Sequence, residues 1–540
     1  MSESPQVTIA SLIREQAIAH PDKPMVIDPT ERVSYRELDE STRMLAATFV
    51  EAGIGPGTRV GLIMPNNARW VQIALAVTRI GAVIVPFSTL LTGRELAAQL
   101  KVSGVAHLIS VEEFRGHRYL DELSAALGTP TLLPGGVTNP EVPALRRIWS
   151  PATVFRAQRF PETRTVVDAL AKTVTPDATM AIIFTSGSSG APKGVVHSHR
   201  SALGAVAAGL PDRLIDSQTR LYLPMPFFWV GGFGSGIVSA LLAGATLVTE
   251  EVPEAESTLR LLERERVTHF RGWPDQAVAL AHTAAKIDAD LSSLQVGSLE
   301  ALLPLAERSQ PGARANLFGM TESFGPYCGY PADTDMPRSA WGSCGKPFHS
   351  MEVRIADPES ALPLPDGATG EILLRGPHVL RGICQRGREE VFTADGFYPT
   401  GDLGHLDDGF LFYHGRSDDM VKISGATVYP SEVAAALKSI EGIDNAFVTH
   451  IDGASGPQVG AVVVSRSGFT TGQLRSAARQ VLSSFKVPTV WLVLDSDDEI
   501  PRGGTGKVKA GDLRKLLCCK GSQSRVAIPA AAGTEKSEVS

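Results

Sequence analysis

Residues 182–194 form an apolar segment that runs into a loop of glycine and small hydroxyl residues and closes on a lysine. The segment reads Ile-Ile-Phe-Thr-Ser-Gly-Ser-Ser-Gly-Ala-Pro-Lys-Gly. Glycines let the backbone turn tightly and bring its N–H groups close to an anion, while serine and threonine hydroxyls add further donors. Lys193 adds a positive charge. The pattern therefore predicts a strand followed by a loop that binds a polyphosphate group.

The loop differs from the Walker A phosphate-binding sequence in two places. Pro192 stands directly before Lys193, and Gly194 takes the position of the serine or threonine that follows the Walker A lysine. Taken alone, the segment is also compatible with a flexible Gly/Ser turn that binds nothing. The choice between these readings depends on the rest of the chain.

The size and composition of the chain are those of a soluble globular protein. Its 540 residues are too many for one ordinary core, so two or more domains are expected. Hydrophobic residues make up 43% and charged residues 20%, which is typical of this class. The net charge of −7, without a dense Lys/Arg run, argues against a general nucleic-acid-binding protein.

The cysteines and the apolar segments indicate a cytoplasmic protein without a transmembrane segment. The five cysteines show no C-x-x-C spacing, which predicts a reducing compartment, no disulfide framework and no zinc site. The first residues lack the basic start and apolar core of a signal peptide. Residues 230–248 carry no charge over a length that could cross a bilayer, but their glycines favour a buried core element.

Helical and strand patterns alternate through the first third of the chain. Helices are expected at 35–52 and 68–80, and buried strands at 58–64 and 81–86. Such alternation predicts an α/β fold with parallel sheets covered by helices. Residues 128–164 are rich in Pro, Gly and Thr and are interpreted as loop and linker.

Four short downstream segments carry polar groups suited to a nucleotide. A carboxylate can lie near a phosphate when Mg²⁺ lies between them. An acidic residue in a tight turn can accept hydrogen bonds from the ribose hydroxyls, and the forked guanidinium of an arginine can share ribose or phosphate oxygens. Taken singly, each segment is also a common helix cap or surface turn. The segments are Phe318-Gly319-Met320-Thr321-Glu322, Tyr398-Pro399-Thr400-Gly401-Asp402, Gly415-Arg416-Ser417-Asp418 with Lys422 and Gly425, and Gly503-Gly504-Thr505-Gly506-Lys507.

In this order, the loop and these segments resemble the motifs of the adenylate-forming enzymes, the superfamily of acyl-CoA synthetases, peptide-synthetase adenylation domains and luciferases. The loop matches the family pattern T-S-G-[ST]-[ST]-G-x-P-K-G, and two of the other segments match [YF]-G-x-T-E and T-G-D. The resemblance covers nearly the whole chain, from the block 81–86 to Lys507, and Asp418 is typical of acyl-CoA synthetases at that position.

The resemblance implies a fold and a division into domains. It implies a large N-terminal domain, 1–415, of helix-covered and mostly parallel sheets with a β-barrel-like subdomain. It also implies a small, mobile α+β C-terminal domain, 416–519, with its hinge at Asp418. The tail 520–540 lacks periodicity and is expected to be disordered.

The resemblance further implies an AMP-forming acid–thiol ligase that uses ATP, Mg²⁺ and coenzyme A. A carboxylic acid would react with ATP to give acyl-AMP and pyrophosphate, and CoA would then take the acyl group and release AMP. The implied catalytic residues are Lys507, Thr321, Glu322 and Lys193, with Glu322 as the Mg²⁺ ligand.

The same resemblance assigns the remaining candidate residues. The implied nucleotide-binding residues are Thr185, Ser186, Gly187, Ser188, Ser189, Gly190, Lys193, Gly297, Ser298, Phe318, Gly319, Met320, Thr321, Asp402, Arg416 and Lys507. The implied acyl pocket comprises Phe228, Trp229, Trp273 and Gly319. The implied residues at the hinge and on the CoA side are Asp418, Lys422 and Gly425.

Two places depart from the family pattern, and two histidines need an interpretation. Many relatives have His where Trp229 stands, and S-G-G-A where residues 296–301 lie. A tryptophan is larger and less polar, which favours a fatty, aromatic or otherwise apolar acid over acetate. His197 and His199 follow the loop, but the attacking carboxylate is already an anion and needs no base, so we expect both to be structural.

Three alternatives to a CoA ligase remain open from the sequence. A stand-alone adenylating enzyme could load a carrier protein, although the tail contains no carrier-like D-S-L segment. A luciferase-like relative would oxidise its adenylate and consume oxygen. A nucleotide-binding protein without activity is disfavoured, because every lysine and carboxylate of the motifs is present.

The implied role of Lys507 gives a first prediction. Lys507→Ala should abolish formation of acyl-AMP from acid and ATP, because this lysine would bridge the acyl carboxylate and the α-phosphate. The variant should still convert preformed acyl-AMP and CoA to acyl-CoA, as measured by mass spectrometry of each half-reaction. Equal loss of both half-reactions would contradict the assignment.

Overall fold

The computed structural model describes residues 7–157, 162–186, 192–272, 274–417, 421–423, 426–428, 430–453, 456–482, 486–502 and 508–523. The chain divides into two compact units, one of Met1–Thr400 with Gly404–Tyr413 and one of Gly401–Leu403 with His414–Ser540. The predicted boundary at 415/416 stays a prediction. The predicted disordered tail 520–540 is wrong at its start, because the helix Ala510–Lys520 and the strand Ser522–Gln523 extend into it, and it stays a prediction beyond them.

An eight-stranded sheet forms the centre of the first unit. Its four inner pairings are parallel, and antiparallel strands complete both edges. In spatial order the strands are Gly382–Ile383, Pro192–Ser198, Thr179–Ser186, Val83–Pro86, Arg59–Ile63, His107–Ser110, Arg147–Trp149 and Gly135–Gly136.

A five-stranded sheet lies in the same unit and is also mostly parallel. Three of its pairings are parallel, and the last strand is antiparallel. In spatial order the strands are His269–Phe270, Arg220–Tyr222, Thr246–Val248, Pro24–Ile27 and Arg32–Ser34. The α/β fold with parallel-rich sheets is thereby confirmed.

Helices cover the sheets on both faces. Ala68–Arg79 begins at Asn67, whose side chain accepts a hydrogen bond from the Trp70 N–H, and all its residues but one are buried. Residues from both large sheets join this helix in a single apolar core, whereas Gly93–Ser103 and Tyr119–Leu127 cover the other face of the eight-stranded sheet. The other main helices of the unit are Ile9–Ala19, Tyr35–Glu51, Pro151–Arg156, Thr163–Thr173, His199–Ala208, Ser239–Ala243, Ala255–Arg264 and Pro274–Ile287.

The interpretation of residues 128–164 as loop and linker is wrong in part. The segment contains the strands Gly135–Gly136 and Arg147–Trp149 and the helix Pro151–Arg156, and the helix Thr163–Thr173 begins within it. Arg147–Trp149 pairs in parallel with His107–Ser110, so a partner distant in sequence makes a strand of a segment with loop-like composition.

Smaller sheets follow in the chain. A three-stranded antiparallel sheet consists of Phe318–Met320, Gly325–Gly329 and Lys346–Pro347. A four-stranded sheet consists of Glu352–Ala356, Gly370–Arg375, Tyr398–Asp407 and Phe410–Arg416.

The second unit combines strands and helices, as the family resemblance implies for the C-terminal domain. Its four-stranded sheet has the order Asn445–Gly453, Gly456–Val464, Val490–Leu494 and Ser522–Gln523. The hairpin Val421–Ile423 and Ala426–Val428 precedes it, and the helices are Pro430–Lys438, Thr471–Val481 and Ala510–Lys520. Across the described part of the chain, no helix has both the length and the apolar character needed to cross a membrane.

Two buried histidines lie where the second phosphate-loop strand, Pro192–Ser198, ends and the helix His199–Ala208 begins. The His197 Nε2–H donates to the Thr321 carbonyl at 2.8 Å, and His199 Nδ1 accepts from the Ile9 N–H at 3.3 Å. Burial lowers the pKa of each imidazole to about 4 from its ordinary 6.5. Both rings are therefore neutral at pH 7 and make structural contacts.

These depressed pKa values predict a loss of stability in mild acid. Below pH 6.5 the two imidazoles bind protons in the unfolded chain, but in the folded chain they do not do so until about pH 4. Their contribution to the free energy of unfolding is therefore full above pH 6.5 and is lost as the pH falls from 6.5 to about 4. The urea concentration at the unfolding midpoint of the first unit should be lower at pH 5 than at pH 7. In His199→Asn, which keeps an acceptor for the Ile9 N–H, the fall should be shallower. Equal slopes in both proteins would contradict this account.

Candidate nucleotide site

A hairpin brings the two ends of the predicted phosphate loop together. Thr179–Ser186 and Pro192–Ser198 pair antiparallel, with Thr185 directly opposite Lys193. The strands form because their apolar side chains enter the core on both faces of the sheet, as Ile182 and Ile183 do. The four loop candidates Gly187, Ser188, Ser189 and Gly190 lie outside the described residues, and Ser186 is described only in its backbone.

Lys193 contacts a carboxylate and a phenol in the first unit. Its Nζ donates to Glu322 Oε1 at 2.5 Å and to the Tyr398 hydroxyl at 2.6 Å. The Tyr398 hydroxyl in turn donates to the same Glu322 oxygen at 3.0 Å. Glu322 and Tyr398 are both 5% exposed. Because a buried charge is costly unless it is paired and hydrogen-bonded, these three groups depend on one another.

The backbone around Glu322 is fixed from two sides. Thr321–Ser323 forms a short 3₁₀ turn after the strand Phe318–Met320. His197 donates to the Thr321 carbonyl, and the Leu380 N–H donates to the Glu322 carbonyl at 2.7 Å. Thr321 itself is half-buried.

Phe318, Gly319 and Met320 form an edge strand with room only for a glycine at its centre. A Cβ on Gly319 would lie 2.1 Å from the Gly325 carbonyl oxygen, which no side chain allows. The Phe318 ring packs against Tyr327 at 5.6 Å and Tyr413 at 4.6 Å between centroids. The strand is thus partly exposed, and contacts of its residues with adenine and the acyl group stay predictions.

The segment of Gly297 and Ser298, also predicted to contact adenine, is held by hydrogen bonds to neighbouring backbone groups. Gly297 has φ +102°, a conformation that favours glycine. The Ser298 hydroxyl accepts from the Phe270 N–H and donates to the Thr268 carbonyl, both at 3.2 Å. The Ser298 side chain therefore serves the local fold, and contacts of Gly297 and Ser298 with a nucleotide stay a prediction.

Two of the four predicted acyl-pocket residues lie next to each other. Phe228 is buried and Trp229 half-buried, with ring centroids 5.7 Å apart at 80°. Trp229 precedes the turn Val230–Gly232 and a π-helix, Phe233–Val238, a rare element that is frequent at functional sites. Trp273 lies outside the described residues.

In the second unit, Asp402 and Arg416 form an ion pair. Arg416 Nη1 donates to Asp402 Oδ1 at 3.2 Å, and the Asp402 side chain is 9% exposed. Gly401 has φ +72°, and a Cβ there would lie 2.9 Å from Arg416 Nη2, so the turn accommodates the guanidinium because it is a glycine. The roles of Asp402 as a ribose ligand and of Arg416 as a ligand of ribose or phosphate oxygens stay predictions.

The structure describes no side chain for the remaining candidate residues of the second unit. Asp418, Gly425 and Lys507 lie outside the described residues, and Lys422 is described only in the backbone of Val421–Ile423. Tyr398 is the residue to which the sequence assigned no role. It stands in the quoted motif two residues before Thr400, and only its contacts with Lys193 and Glu322 distinguish it.

Glu322 fits the chemistry of a magnesium ligand. Mg²⁺ prefers oxygen ligands and in nucleotide sites uses one or two protein carboxylates together with substrate phosphates. Within the described ranges no group of three or more His, Cys, Asp or Glu residues could form an all-protein metal site. A single buried carboxylate beside the phosphate-loop lysine is the donor set expected for an ion that arrives with its nucleotide.

Comparison with known proteins bears on the whole chain. The family described as "AMP-binding enzyme" matches residues 13–384. The 3-[(3aS,4S,7aS)-7a-methyl-1,5-dioxo-octahydro-1H-inden-4-yl]propanoyl:CoA ligase of Mycobacterium tuberculosis is 32% identical, with 92% of this chain and 96% of that protein covered. The indoleacetate–CoA ligase of Aromatoleum aromaticum is 28% identical, with 95% and 98% covered.

Solved structures support the fold. The o-succinylbenzoate CoA synthetase of Bacillus subtilis, in complex with its acyl-adenylate intermediate, superposes with a TM-score of 0.76. The alignment covers 95% of this chain and 99% of that one, at 21% identity.

These findings confirm the predicted superfamily, fold class and enzyme class, an acid–thiol ligase that forms AMP in two steps. The match over residues 13–384 and the identity of 32% over 512 residues lead to one conclusion. The chain belongs to the AMP-binding enzyme family.

Proposed function

We propose that this enzyme activates an apolar, ring-bearing carboxylic acid with ATP and Mg²⁺ and transfers the acyl group to CoA. The observation that carries the proposal is the contact of Lys193 with buried Glu322, at the end of the phosphate-loop hairpin. That contact supports the proposal, because an ammonium is suited to phosphates and a carboxylate is suited to a magnesium ion. The cysteine pattern of the sequence supports a cytoplasmic setting.

In the first half-reaction, an oxygen of the acid's carboxylate attacks the α-phosphorus of ATP and pyrophosphate leaves. No base is needed, because the acid is already ionised, and the buried neutral imidazole of His197 is used for the fold. Lys193 and the Thr321 hydroxyl would stabilise the charge on the phosphate oxygens, as would Lys507. Mg²⁺ held by Glu322 would offset the charge of the polyphosphate when bound.

In the second half-reaction, the CoA sulfur attacks the acyl carbon of the mixed anhydride and AMP leaves. The pair of Asp402 and Arg416 would hold the ribose of the nucleotide through both steps. We propose that a rotation of the small C-terminal domain about Asp418 then withdraws Lys507 and brings Lys422 and Gly425 to the CoA side. This assignment is supported by the motif positions of the four residues.

The class of acid follows from the aromatic pair and from the relatives. Trp229 sets an indole against Phe228 at a position where a smaller polar residue would leave more room. The names of two relatives describe a bicyclic propanoate and an indole acetate as their acids. We therefore propose a substrate with an apolar ring system rather than a short acid such as acetate.

The test of this function is product analysis with a mixed panel of acids. Purified protein is incubated with MgATP, CoA and alicyclic, aromatic and fatty acids, and acyl-CoA and acyl-AMP are measured by mass spectrometry. We expect an acyl-CoA from a ring-bearing acid, replaced by acyl-AMP when CoA is omitted. Acyl-AMP that persists with CoA present would instead support a carrier protein as acceptor, and a preference for acetate would refute the proposed acid class.

Replacing the Trp229 indole with a smaller side chain should change which acids the enzyme prefers but not how it binds ATP. In Trp229→Leu, kcat/KM for the preferred ring acid should fall about tenfold, because the lost aromatic contact is worth on the order of 1–2 kcal/mol. The KM for ATP should change less than twofold. Trp149→Leu is the matched control, since that indole lies on the strand Arg147–Trp149 and donates to His107 Nδ1 at 3.3 Å. Equal effects of the two variants on kcat/KM for the ring acid would contradict the assignment.

A further inference from the structure

The phenol of Tyr398 lies where the two charged groups of the nucleotide site meet. Lys193 Nζ lies 2.6 Å from its hydroxyl oxygen, and the hydroxyl lies 3.0 Å from Glu322 Oε1. A phenol can accept one hydrogen bond and donate another at the same time, so it links the ammonium to the carboxylate. Lysine offers three donors and an ionised glutamate only acceptors, which fixes the direction of both bonds.

The contact between Lys193 and Glu322 cannot persist unchanged when a nucleotide with its cation binds. Lys193 would then donate to phosphate oxygens, and Glu322 would turn an oxygen to the cation. The carboxylate is 5% exposed and would lose its ammonium partner in a buried position. The cation takes only one part of the carboxylate, and its other buried lone pairs still require a hydrogen-bond donor beside them.

The surroundings of the three groups indicate which of them can move. The Glu322 backbone is held by the Leu380 N–H, and the Tyr398 ring is buried and meets Phe392 edge-on at 6.3 Å between centroids. Lys193 carries its charge on a flexible four-carbon stem, with Nζ also 5.2 Å from the centre of the Tyr398 ring. The lysine is therefore the member that leaves, and the phenol is the one that stays.

We propose that Tyr398 is a positioning residue of the MgATP site, whose hydroxyl holds the Glu322 carboxylate in place when Lys193 moves to the phosphates. This inference rests on the proposed function, because it assumes that Glu322 meets a cation brought by ATP. Tyr398 acts through Glu322 and needs no contact with the reacting atoms. Its effect is confined to the step in which the charged nucleotide is bound and used.

The variant that tests the proposal is Tyr398→Phe, which removes the hydroxyl and keeps the ring. Isothermal titration calorimetry should show roughly tenfold weaker binding of ATP in the presence of Mg²⁺, since a lost hydrogen bond to a charged group has about this effect. Binding of ATP with EDTA should be unchanged, because without a cation to replace its ammonium Lys193 keeps its contact with Glu322, and the phenol is then not needed to hold the carboxylate. The conversion of preformed acyl-AMP and CoA to acyl-CoA should keep the wild-type rate.

Two controls separate a positioning role from a loss of stability. Tyr119→Phe removes an equally buried hydroxyl, bonded to the Thr89 carbonyl at 2.8 Å, and should leave ATP binding unchanged. In a Glu322→Gln background, Tyr398→Phe should have little further effect on the Mg²⁺-dependent affinity, because both changes act on one contact. The urea midpoints of all variants show whether each one is folded.

The outcomes decide between the possibilities. A loss of affinity only with Mg²⁺, absent in the Glu322→Gln background, supports the proposal. Equal affinity of wild type and Tyr398→Phe overturns it, as does an equal loss with and without Mg²⁺ or a loss that persists beside Glu322→Gln. A wild-type protein that binds ATP equally with Mg²⁺ and with EDTA would instead refute the proposed function itself.

Discussion

The ammonium of Lys193 and the carboxylate of Glu322 are held together in the interior, with side chains 16% and 6% exposed. An isolated charge at either position would be disfavoured by several kcal/mol, so each depends on the other as long as no ligand is bound. Much of the surrounding architecture serves to bring these two groups together, because they are 129 residues apart in the chain. A ligand that separates the pair must offer an anion to Lys193 and a cation or donors to Glu322, which is what the proposed MgATP would supply.

The large sheets provide the rigid frame for this pair. The hairpin that carries Lys193 lies next to the parallel strands of the eight-stranded sheet, whose apolar residues enter cores on both faces. A neutral His197 on that hairpin donates to the Thr321 carbonyl, which ties the turn of Glu322 to the phosphate-loop strands. A buried imidazole thereby connects two of the segments that carry the candidate site residues. Its Nε2–H is engaged with a backbone carbonyl, which accounts for a histidine beside the candidate site by its role in the fold.

Local patterns in the sequence predicted much of the fold, and long-range contacts account for what they missed. The helix Ala68–Arg79 and the strand Arg59–Ile63 follow from apolar runs and from the Asn67 cap, which are local features. The strand Arg147–Trp149 exists because of its pairing with a distant strand, so composition alone suggested a loop. Tyr398 was overlooked for the same reason. Its hydroxyl meets Glu322 across 76 residues and Lys193 across 205, and no local motif marks that meeting.

The most direct measurement of the central claim is a crystal structure of the protein with Mg²⁺ and an ATP analogue that cannot be cleaved. The account predicts that Lys193 Nζ has left Glu322 and donates to a phosphate oxygen, that Glu322 faces the cation, and that the Tyr398 hydroxyl still donates to the Glu322 carboxylate. A structure with nucleotide bound in which Lys193 and Glu322 remain in contact, and in which Tyr398 has turned away from both, would contradict it.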